Sequence, residues 1–198
     1  MSDGGVARGI SGRGVARLAV ELTLICAGAL LALAFDEWRE QRELDNRAGA
    51  MLEQIAAEFR TNHERISAVV DYHREMADVM NELARQLADD GQWNFPPEGY
   101  GGVQVPTLLT ASVEAATMAQ VVPRFPPDVI REISEVTTQI RKYERDAQNY
   151  GLATLQTDFA NGTRYLRLLN FWLESMARSE VELLESIDTA LASIEAVR

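Results

Sequence analysis

Apolar and polar positions follow three different patterns along this chain. From Leu18 to Phe35 (LAVELTLICAGALLALAF) the apolar residues are nearly continuous, and Glu21 is the single charge. From Leu44 the pattern becomes periodic: Leu44, Ala48, Met51, Ile55, Phe59, Asn62, Ile66, Val69, His73, Met76, Met80, Leu83 and Leu87 recur at threes and fours. That spacing is a helix seam sustained over about twelve turns. Gly49 is the one Gly or Pro inside it, so the pattern predicts a single helix from Leu18 to about Asp90. The third pattern, residues 91–106 (GQWNFPPEGYGGVQVP), has no period at all and reads as a turn-rich loop, with Trp93, Phe95 and Tyr100 capping the end of a bundle.

Beyond the loop, Thr107 to Val122 is expected to form a short helix with Leu108, Leu109, Ala115, Met118 and Ala119 buried. Pro123 ends it, and Pro127 suits the first turn of the next helix. There Val129, Ile133, Val136, Ile140, Tyr143, Ala147, Tyr150 and Thr154 alternate four and three, the most regular coiled-coil-like stripe in the chain. Asn161-Gly162 marks a turn, with Thr163 as a cap for the last helix. That helix carries Leu166, Leu169, Leu173, Met176, Leu183, Ile187, Ala190, Ile194 and Val197 on one side. Glu180 falls on the same seam, a charge that the pattern does not explain. Strands are nearly absent. The expected fold is all-α: a single N-terminal transmembrane helix continuing into the long helix of an antiparallel helical bundle.

The continuous run sets the topology. Eighteen residues at about 1.5 Å each span roughly 27 Å, near the hydrocarbon thickness of a bilayer. Extension back to Val15 brings in Arg17, which can snorkel to the headgroups, and Trp38 follows where an indole prefers the interface. The expected divisions are a disordered tail over 1–14, a transmembrane anchor over 15–36, and a bundle domain over 37–198. Two rivals are a core helix and a cleaved signal peptide. Arg8, Arg13 and Arg17 make a basic leader, and Ala32-Leu33-Ala34 fits the small-x-small cleavage pattern. Glu21 breaks the leader's apolar core, and the helical pattern runs unbroken through the would-be cleavage site. An uncleaved anchor is preferred. Arginines tie across it, Arg8, Arg13 and Arg17 against Arg39, Arg42 and Arg47. The closeness of Arg17 to the membrane places the N-terminus inside and the bundle outside the inner (cytoplasmic) membrane.

Glu21, Gly28 and Ala32 share one helix face. Small residues let helices approach closely, and a carboxyl among them can hydrogen-bond a neighbour, so this stripe is a candidate intramembrane interface. The bland alternative is that Glu21 simply reaches the headgroups. The run from Glu21 through CAGALLALAFDEWREQR resembles the start of a widespread family of uncharacterised bacterial single-span membrane proteins, through Glu21, Gly28, Ala32, Leu33, Asp36 and Trp38. A second match is Leu109-Thr110-Ala111-Ser112-Val113-Glu114-Ala115-Ala116, with Val113 where relatives usually carry Trp. The resemblance implies a topology and no chemistry.

Charge narrows the partners. From Asp36 onward 28 acidic side chains face 16 basic ones, a surface that repels nucleic acid. Cys26 lies inside the anchor, so the bundle has no thiol for disulfides or thiolate metal sites. His63 and His73 are ten residues apart and do not share a face, and His73 on the apolar seam reads as a satisfied core residue. Carboxylates such as Glu53, Glu58, Asp71 and Glu75 read as solvated helix faces. No phosphate loop, nucleophile elbow or metal-ligand spacing is present. The sequence therefore offers no catalytic, cofactor-binding or metal residues. It points to a membrane-anchored structural or protein-interaction module that contacts the lipid bilayer and either oligomerises or holds a membrane-protein partner. The alternative is a ligand-sensing module or an accessory subunit of a membrane complex.

Overall fold

The computed structural model describes residues 12–90, 95–156 and 162–197, with side chains from Val20 onward. Four α-helices and one short 3-10 turn make up its regular structure: α1 (Gly12–Asp90), α2 (Ala111–Met118), the turn Val122–Arg124, α3 (Pro127–Gln156) and α4 (Gly162–Ala196). No strand occurs among the described residues. The expected single long helix is thus present and begins at Gly12, inside the expected tail; residues 1–11 of that tail lie outside the described residues.

The chain divides into two compact units, residues 1–46 and 47–198. In the first, every described side chain from Val20 to Glu43 is exposed, including Leu22, Leu31 and Phe35. Among the described residues no helix is long and apolar enough to cross a membrane. The physical reason is where the acids fall. The apolar run reaches eighteen residues only by including Leu18 and Ala19, whose side chains lie outside the described residues, as does that of Arg17. Eighteen residues counted from Val20 take in Glu21, Asp36 and Glu37.

The second unit holds the core. Every buried residue among those described lies at Ala48 or later, and the three predicted seams supply most of them. On α1 Ala48, Ile55, Phe59, Ile66, Met76 and Met80 are buried, joined by Val129 to Ala147 of α3 and by Leu166 to Ile194 of α4. The bundle is only partly antiparallel, which corrects the expectation. His73 of α1 bonds Glu180 of α4 and Arg60 bonds Glu195, so residue numbers fall along α4 as they rise along α1. Ile55 lines a cavity with Ile130 and Ile133, while His73 and Tyr143 share a partner, so α3 runs parallel to α1.

Residues 100–112 explain why. They descend α1 as a strap, bonded at successive turns. The Gly101 N–H donates to the Tyr72 hydroxyl, which donates to the Gly102 carbonyl. Arg65 donates to the Thr107 carbonyl, Asn62 holds Leu109, and the Ser112 N–H donates to Glu58. The chain is carried back to the level of Ile55 before α3 begins, leaving α3 no direction but up. The expected helix over 107–122 shrinks to α2, and its buried side is only partly the expected one. Leu108 is buried and Leu109 and Ala115 are half-buried, as expected, whereas Met118 and Ala119 are exposed and Ala116 and Val121 are buried instead. Phe95 and Tyr100 pack on the core as expected of caps, with Phe95 edge-on to Tyr165 at 5.5 Å; Trp93 lies outside the described residues, as does Asn161 of the expected turn.

Candidate functional site

The seam misfit Glu180 is the centre of a buried ionisable cluster in the bundle's core layer. α4 places its side chain opposite His73 of α1 and Tyr143 of α3. His73 Nδ1 lies 2.9 Å and 3.0 Å from the two carboxylate oxygens, and the Tyr143 hydroxyl donates to Oε1 at 2.7 Å. His73 and Glu180 are wholly buried, and Tyr143 nearly so. A carboxylate only accepts, so Nδ1 carries a proton toward it, and in the neutral ring Nε2 is then the nitrogen with the lone pair. That Nε2 is buried and has no hydrogen-bond partner. The Tyr143 hydroxyl is pushed well above the usual phenol range, first by burial and then by the adjacent Glu180 charge.

His73 is therefore a core histidine, as its seam position indicated, but only half satisfied. Sequence reasoning found His73 and flagged Glu180 separately. The register that pairs them depends on the strap and could not be read from either helix alone.

A second polar cluster lies three to four turns earlier on α1. Asn62 is fully buried, donates from Nδ2 to the Leu109 carbonyl and accepts from the Leu109 N–H, both at 2.8 Å. Glu58, expected to be solvated, is 9% exposed and accepts from the Ser112 N–H at 2.9 Å. Its negative charge caps the first turn of α2, an arrangement the helix dipole favours. These two residues hold the backbone of Leu109 and Ser112, where α2 begins.

Of the other sequence-predicted positions, Glu21, Gly28 and Ala32 are exposed on their helix, and a Cβ built at Gly28 meets nothing within 4 Å. Trp38 is half exposed, makes a tilted ring contact with Phe35 at 5.6 Å and lies under the Arg42 guanidinium at 5.1 Å, a cation–π contact. His63 faces Asp188 at 3.4 Å on the surface. The α1/α4 groove, lined by Arg74, Asp78, Glu174 and Arg178 around buried Ala77 and Ala177, opens widely to solvent. Among the described residues no three His, Cys, Asp or Glu side chains are grouped to hold a metal. No family model, no curated protein and no solved structure matches this chain.

Proposed function

We propose that this chain is a membrane-tethered helical bundle that acts as a structural or protein-interaction module. In this reading residues 18–35 cross the inner membrane once, with Arg17 and Trp38 at the two interfaces, and the bundle is displayed on the outer side. The supporting observation is the exposure of residues 20–35. Val20, Leu22, Leu24, Ile25, Leu30, Leu31, Leu33 and Phe35 are each 59–72% exposed. At about 1.5–3 kcal/mol per large apolar side chain, leaving eight of them in water forgoes on the order of 10–20 kcal/mol. A helix apolar on every side is matched to lipid or to other apolar helices, never to open water. The Trp38–Arg42 pair adds an amphipathic girdle of the kind favoured at headgroups.

The experiment is membrane fractionation followed by alkaline carbonate washing. A spanning helix stays in the pellet and leaves only with detergent; release into the carbonate supernatant would reduce the segment to a peripheral contact. Reporter fusions after Arg198 test the side, and activity confined to a cytoplasmic reporter would reverse the topology.

A further inference from the structure

The half-satisfied His73 sits in a layer rich in methionine. Met76 and Met80 follow it by one and two turns along the same buried face of α1, and both are core residues. The pairing of His73 with Glu180 sets the register of antiparallel α4. Met176, four residues before Glu180 and 1% exposed, therefore falls beside residue 77, between Met76 and Met80. Three thioethers and one imidazole nitrogen thus belong to the same two turns of the core. Methionine fills core gaps without any ligand. What separates this layer from filler is the buried, unpartnered Nε2 of His73, because a lone polar atom in an apolar interior calls for an explanation.

We propose that His73 Nε2 and the sulfurs of Met76, Met80 and Met176 form a binding site for a soft monovalent cation, Cu(I). Thioether and imidazole ligands select Cu(I), whereas zinc and hard divalent cations want thiolate, several imidazoles or oxygen. The Glu180 carboxylate on Nδ1 reproduces the arrangement that orients a metal-bound histidine, and the Tyr143 hydroxyl in turn fixes that carboxylate. Charge also balances. The ligating atoms are neutral and the site lies in the apolar core, so one positive charge is offset by Glu180, whereas a divalent ion would leave a net buried charge.

The test uses the full chain in detergent, without oxygen, on a Cys26→Ser background, because the Cys26 thiol would itself take Cu(I). Competition with bicinchoninate should give one Cu(I) per chain, and bound copper should raise the melting temperature by mass action. The triple variant Met76→Leu, Met80→Leu, Met176→Leu conserves volume and should keep its helical spectrum while losing the copper. Tyr143→Phe should weaken copper binding roughly 10- to 100-fold through the ligand's support. Should the triple variant fail to fold, X-ray absorption on the copper-loaded chain decides the matter: sulfur neighbours with a single imidazole support the site. A chain that cannot take copper from bicinchoninate, a folded triple variant that binds as tightly, or a spectrum with only nitrogen and oxygen neighbours overturns it.

Discussion

At Glu180 a carboxylate replaces the leucine that the α4 seam leads one to expect, and its cost is met only because two other helices each supply a donor. Removing one partner should therefore be far worse than removing all three. His73→Leu leaves the buried charge with Tyr143 alone and should lower stability by about 3–5 kcal/mol, a large part of the 5–15 kcal/mol typical of a domain. The combined change His73→Leu, Tyr143→Phe, Glu180→Met should recover most of that loss or exceed the parent, since packed apolar residues often match a buried ion cluster. Urea unfolding of the parent and the two variants checks this; equal losses in the single and triple variants would sink it. The phenols give a second expectation. Burial pushes Tyr100 up to about 12 and raises Tyr165 and Tyr143 as well. The unfolded chain releases these protons near pH 10, so the folded state holds protons that the unfolded state has lost. Their contribution is complete below about pH 10 and disappears as the pH rises toward 12. The melting temperature should fall steeply above pH 10, with the tyrosinate absorbance of Tyr100, Tyr143 and Tyr165 appearing only as the helices melt. A flat profile to pH 11, with all five tyrosines ionising together near 10, would refute the burial.

Among the elements, the strap over 100–112 decides the topology, and a single side chain, Asn62, holds both backbone groups of Leu109. Asn62→Leu would strand the part-buried N–H and carbonyl of Leu109. The expected loss is about 1–3 kcal/mol, and amide exchange should quicken over residues 101–112 before α3 and α4 respond. Uniform quickening across all helices would mean that the strap is not a separate unit. Helix positions were legible from the sequence because each long helix carries an unbroken three-four stripe: the seam from Ala48 to Met80 is buried, and α3 starts at the expected Pro127. The strap was not legible, because its contacts use backbone groups and single polar side chains, which leave no periodic trace. Asn62 stood within the seam as an apparent tolerated polar residue, and Glu58 beside it as an apparent surface acid. The direction of α3 follows from the strap, so the parallel pairing was hidden for the same reason. Glu180 and His73 were visible as seam positions, yet only the observed register brings them together.

For the whole molecule, one helix joins two stretches of opposite character: an exposed apolar run, and a bundle that contains every buried side chain among the described residues. Because the core begins at Ala48, stability should reside entirely in residues 47–198. A chain shortened to Arg47–Arg198 should keep the full-length melting temperature within a few degrees, since it retains every buried residue among those described, and a shift of that size corresponds to less than about 1 kcal/mol. The same shortening removes the apolar residues on which tethering depends, so the fragment should leave the membrane pellet for the supernatant without detergent. Its acidic surface, with the net negative charge carried by the bundle, should keep it dispersed there. The two readouts separate two ways of being wrong. A fragment that melts much lower shows that the apolar run packs on the bundle as a missing piece of core, and the tether reading fails. A stable fragment that still pellets shows that a second surface of the bundle binds the membrane or a resident protein. The tether would then be one of two attachments.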